Sequence, residues 1–96
     1  MPMYNPPHPG GILKEALENV PVTVTEFAAH LGISRVNLSR ILNCRAGITA
    51  AMSIKLSEAF AQDSPDIWFK MQNAYDFWQA AQAKKRKRIQ PIRIAA

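Results

Sequence analysis

The chain is poor in residues that build covalent or metal-held structure. Its 96 residues include one cysteine, Cys44, which excludes an internal disulfide and a cysteine-based zinc site. The two histidines, His8 and His30, stand far apart, and no HExxH pattern or acidic cluster accompanies them. No apolar run approaches the roughly 18 residues of a membrane helix. The opening MPMYNPPHPG has neither the charged nor the apolar region of a signal peptide. No stretch alternates like a strand pair, and no repeat is visible. Nowhere does the sequence offer a nucleophile, a base and an orienting group together, which argues against catalysis. Cys44 has no second cysteine to resolve it and reads as a turn residue. The expectation is a cytoplasmic, reduced, single-domain protein with no cofactor, no metal and no membrane segment.

Acids are also missing from the end of the chain. Residues 84–96 hold Lys84, Lys85, Arg86, Lys87, Arg88 and Arg93 and no acid, whereas residues 1–83 hold six cations against seven acids. The formal charge of +5 therefore belongs to the tail, and the body sits at −1. Overall basicity by itself does not make the body a nucleic-acid binder. A solvated basic tail is the plain reading of residues 84–96, and contact with DNA phosphates is the functional one.

What is present is a succession of helix signals, with 48% hydrophobic residues to supply a core. Four prolines among the first nine residues predict an extended arm over 1–9. A helix follows over about 10–19 and ends at Asn19-Val20-Pro21, because the residue before proline avoids the helical region. Thr23 and Glu26 form a capping box for a second helix ending at Leu31, where Gly32 suits the left-handed position. Ser34 caps a third helix over about 35–43, with Leu38, Ile41 and Leu42 on its buried face. Thr49 caps a fourth that reaches Phe60. Ser64-Pro65-Asp66 reads as cap, first-turn proline and acid for a fifth helix running toward Ala83. The arrangement predicts an all-α domain over 10–83.

Residues 24–43, VTEFAAHLGISRVNLSRILN, fit a helix-turn-helix at nearly every constrained position. Ala28 is small where two helices approach, and Phe27, Leu31, Ile33, Leu38 and Ile41 provide the apolar faces. Ser34, Arg35, Val36, Asn37 and Arg40 remain for the outer or leading side of the recognition helix. Arginine pairs with guanine, asparagine with adenine, and valine meets a thymine methyl. For Arg45, in the following loop, a phosphate contact and a merely solvated side chain are equal readings. A generic helical hairpin would also show polar residues there, but it does not require two caps, a turn glycine and a small crossing residue.

Three segments, HPGGILKEAL, LGISRVNLSRILNCRAGIT and DIWFKMQNAYDFW, carry a resemblance to the HigA-type antitoxins of the XRE/Cro-like helix-turn-helix group. The resemblance implies a five-helix, lambda-repressor-like fold and dimeric binding to an inverted-repeat operator in double-stranded DNA. It also implies a partner, a small mRNA-cleaving toxin of the HigB type. The sequence departs from the pattern at Gly11, where glutamate is usual, at Cys44, where glycine commonly ends the recognition helix, and throughout the tail. A left-handed Cys44 would carry strain of roughly 1–2 kcal/mol.

On the fifth helix, a period of 100° places Ile67, Met71, Ala74, Tyr75 and Trp78 on the core face with Trp68 at its edge. Phe69 and Phe77 fall off that face among Lys70, Gln72, Asn73 and Asp76, which leaves two readings, a dimer or partner surface and packing over the first helix or the N-terminal arm. A free-standing regulator without a toxin, or a protein-interaction module in which the helix-turn-helix is scaffold, are the alternative functions.

Overall fold

Local sequence chemistry sets most of the helix boundaries. The computed structural model describes residues 5–83 and 87–93, so the expectations for residues 1–4 of the arm and for Lys84, Lys85 and Arg86 lie outside the described residues. Five helices follow one another: α1 (Pro9–Glu18), α2 (Val24–Leu31), α3 (Arg35–Leu42), α4 (Ala50–Ala59) and α5 (Ile67–Gln82). Among the described residues there is no strand.

The arm is shorter than the sequence suggests. Pro9 is the first residue of α1, and His8 caps it by accepting the Gly10 amide on Nδ1 at 2.9 Å. Proline at a helix start forfeits a donor that had no partner anyway. Pro6 is buried, and with Pro7 it lies beside Ile12, Met71 and Ala74 of α1 and α5.

Helices α1 to α4 bury the faces their periodicity marks out: Leu13 and Leu17, then Phe27, Ala28 and Leu31, then Leu38, Ile41 and Leu42, then Met52 and Leu56. Phe60 stacks between Phe27 and Trp68, with ring centroids 5.7 and 5.9 Å apart. The indole of Trp68 donates to Gln62 Oε1 at 2.8 Å. These rings join α2, the end of α4 and the start of α5 into one core.

Two expectations for α5 are corrected. Ser64 does not cap the helix; α5 starts at Ile67, and its N-cap Asp66 makes no side-chain capping bond. The cap comes from α4, where the buried Ser53 accepts the Phe69 amide and donates to the Pro65 carbonyl. The buried stripe is also rotated. Trp68 and Gln72 are enclosed, while Ala74 is exposed. The large Trp68 ring has aromatic partners that Ala74 lacks, and the Gln72 amide pairs a backbone group that would otherwise be stranded.

Candidate nucleic-acid interface

The helix-turn-helix is fixed by three local devices. At the start of α2 the Glu26 amide donates to Thr23 Oγ1 at 3.1 Å, and the Thr23 amide donates to Glu26 Oε1 at 2.9 Å. These bonds favour the ionised carboxylate and hold Glu26 below its ordinary pKa. At the turn Gly32 takes φ 74°, and the Ile33 amide returns to the Ala28 carbonyl at 3.0 Å. At the start of α3 Ser34 Oγ accepts the Asn37 amide at 3.0 Å. In this bond Ser34 acts only as an acceptor, so its O–H stays available as a donor beside the cap.

Because Leu38, Ile41 and Leu42 face the core, α3 turns Arg35, Val36, Asn37 and Arg40 outward. Val36 is 69% exposed, a large uncovered apolar side chain between a guanidinium and an amide. No described acid pairs with Arg35 or Arg40; among the described residues the ion pair present is Lys70 with Asp66, on α5. The outward face of α3 therefore offers two unneutralised cations, one amide and one methyl-bearing contact.

Beyond α3 the chain turns on Cys44, at φ 60°. The Cys44 amide bonds the Ile41 carbonyl at 3.0 Å and the Arg45 amide bonds the Arg40 carbonyl at 2.8 Å, a complete Schellman ending. Arg45 is exposed immediately after it. Cysteine thus occupies the left-handed position, as expected if the helix ended in the usual way.

The other end of this platform is α1. A Cβ on Gly10 would collide with the Ile41 carbonyl, so glycine lets the start of α1 close onto the end of α3. His8, missed as a structural residue from sequence, holds that start. Its ring lies edge-on to Tyr75 at 4.8 Å. Burial lowers its pKa, and the nearby Asp76 carboxylate offsets part of the shift. Its position directly before Pro9 was the available signal, since a side-chain acceptor next to a first-turn proline is a capping pattern.

The two phenylalanines of α5 do not share one environment. Phe77 is 77% exposed. Phe69 is half-buried, lining a hollow with Ala50, Ile54 and Pro65 at the junction of α4 and α5. In the tail, Lys87, Arg88 and Arg93 are exposed in a segment without regular structure.

An all-α domain with a capped two-helix unit, a glycine turn and a cationic second helix defines a helix-turn-helix DNA-binding protein. No family model matches the chain. It is 38% identical over 93 residues to an uncharacterized HTH-type transcriptional regulator of Escherichia coli K12, YddM, covering 97% of this chain and 95% of that one. It resembles the structure of an addiction module antidote protein of the HigA family from Coxiella burnetii. That TM-score is 0.76, at 34% identity, over 82% of this chain and 86% of that one. It also resembles the Pseudomonas aeruginosa antitoxin HigA solved with the higBA promoter, at TM-score 0.76 and 32% identity, over 81% and 85% of the two chains. The chain belongs to the HigA-type antitoxin family of helix-turn-helix regulators.

Proposed function

We propose that the protein represses transcription by binding an inverted-repeat operator as a homodimer, and that it neutralises a HigB-like toxin encoded beside it. The observation that carries the DNA reading is the outward face of α3, with Arg35, Val36, Asn37 and Arg40 exposed above a buried Leu38–Ile41–Leu42 face. In this reading Arg35 and Asn37 reach base edges, Val36 meets a thymine methyl, and Arg40 and Arg45 contact phosphate. Ser34 orients the leading turn of the helix through its cap.

One recognition helix reads only a few base pairs, so a twofold pair of helices about 34–36 Å apart is needed for useful discrimination. Phe77, with Phe69 beside the α4–α5 hollow, is the proposed subunit contact. An mRNA-cleaving toxin must attract RNA and is therefore basic, which makes the body, at −1, its better partner surface and the tail its worse one. Residues 84–96 serve as a sequence-independent phosphate contact.

Footprinting on the DNA upstream of its own reading frame tests this reading. Protection of two half-sites about one helical turn apart supports it, and protection of one half-site at saturation contradicts the dimer. Co-purification with the product of the neighbouring frame tests the toxin. Operator binding without it would favour the free-standing regulator.

A further inference from the structure

Beneath the loop that follows α3, the fold buries a primary amide. Gln72 is 5% exposed. Its Oε1 accepts the Ile48 amide at 2.9 Å, and its Nε2 donates to Asp76 Oδ1 at 2.9 Å. The carboxylate of Asp76 fixes the orientation of the amide, because reversal would set two donors against each other at Ile48 and two acceptors at Asp76. Gly47 rests on the same group: a Cβ there would lie 3.2 Å from Gln72 Cδ.

The loop from Asn43 to Thr49 is therefore held at both ends. Near its start the Arg45 amide is tied to the Arg40 carbonyl. Near its end the Ile48 side chain is buried and its amide is tied to Gln72. Arg45 projects from the stretch between these anchors, and its exposed side chain has no partner of its own among the described residues. A long side chain contributes affinity only when its base is already placed, since otherwise binding must also order the loop.

We infer that Gln72 is a positioning residue for DNA binding, which holds the 43–49 loop so that Arg45 meets the phosphate backbone. The inference rests on the reading of α3 as the DNA-facing helix, but its test can be separated from that reading. A phosphate contact acts on any sequence, so the probe is a random-sequence duplex at low salt.

The full-length protein is compared with Gln72→Met, Arg45→Ala and the double variant. Each single change should weaken binding about three- to tenfold and lower the salt slope by about 1 per subunit. The double variant should be no weaker than either, because both remove one contact. Combined with Gln72→Met, Arg35→Ala on the upstream operator should instead multiply the losses. A second variant, Gln72→Glu with Asp76→Asn, keeps the acceptor for Ile48 and reverses the donor toward residue 76; it should restore binding relative to Gln72→Met. The inference is overturned if Gln72→Met lowers the melting temperature while leaving affinity and slope unchanged. It is equally overturned if the losses from Gln72→Met and Arg45→Ala multiply, or if the exchanged pair regains stability without regaining affinity. Failure of the operator reading would show differently, as Arg35→Ala binding operator and random DNA like the wild type.

Discussion

Ser53 caps a helix it does not belong to. From the middle of α4, its Oγ accepts the Phe69 amide at 3.0 Å and donates to the Pro65 carbonyl at 2.8 Å, while the residue itself is fully buried. The Phe69 amide is one of the four donors that a helix start leaves without an internal partner. Ser57 repeats the device one turn later, donating to the Ser64 carbonyl at 2.9 Å. Two hydroxyls of α4 thus seat the connection into α5. Replacing Ser53 with alanine strands a donor and an acceptor together, so a loss of about 1–3 kcal/mol is expected from urea unfolding. A loss within 0.3 kcal/mol, roughly the scatter of an inert surface change, would mean that α5 is seated some other way.

Three helices end in the same hydrogen-bond pattern, but glycine occupies the left-handed position only after α2. Cys44 at φ 60° ends α3 and Ala61 at φ 52° ends α4, and the Gln62 amide returns to the Ser57 carbonyl at 2.8 Å. Both residues are exposed. Relief of the left-handed strain, about 1–2 kcal/mol, outweighs the added freedom that glycine gives the unfolded chain, about 0.4–1 kcal/mol. Cys44→Gly and Ala61→Gly should each stabilise the fold by roughly 0.5–1 kcal/mol. Thermal melts of the two single variants check this, and a lowered midpoint for either would contradict it.

Stability should depend on pH through His8. Burial holds its folded pKa below the ordinary 6.5, and its neutral Nδ1 is the acceptor that caps α1. Between the folded value and 6.5 the unfolded chain binds the extra proton, so stability rises with pH in that window. The contribution is fully present above 6.5 and is lost as the pH falls through the folded value. Asparagine caps without titrating there. His8→Asn should therefore match the wild type at neutral pH and lose less stability toward pH 5. Glu26, held low by its capping box, adds a separate loss only below its ordinary 4.5. Parallel curves for His8→Asn and wild type would place the titration elsewhere.

Signals confined to a few neighbouring residues were legible in the sequence. The Thr23–Glu26 box, the Gly32 turn, the Ser34 and Thr49 caps and the buried 38/41/42 face all follow from short spacings. The outward residues of α3 were legible for the same reason, being what the buried face leaves over. Misreadings arose where burial is decided by a distant partner. Gln72 and Ser53 look like surface residues until Ile48, Pro65 and Phe69 are brought to them across 24, 12 and 16 positions of chain. Trp68 moved from the edge of its face to the centre because Phe60, itself packed on Phe27, stands opposite it. Ser64 had the right residue type and a proline after it, yet the cap of α5 came from another helix.

The six cations of residues 84–96 should act on affinity without changing specificity. With two or three engaged per subunit, a dimer lacking this segment should show a salt slope shallower by about 4–5, while its preference for operator over random DNA stays nearly intact. Titrations of the truncated and full-length proteins over a series of salt concentrations measure both quantities. An unchanged slope with lost toxin binding or solubility would assign the segment to those roles.

The central claim, that α3 reads base sequence, is tested most directly by the operator-to-random affinity ratio of Arg35→Ala at one fixed salt concentration. The account predicts that operator binding weakens by about 1–3 kcal/mol and random-DNA binding by much less, with preference relaxed at a single base pair in each half-site. An equal loss on both duplexes would make Arg35 a phosphate contact and remove the assigned base reader from the helix.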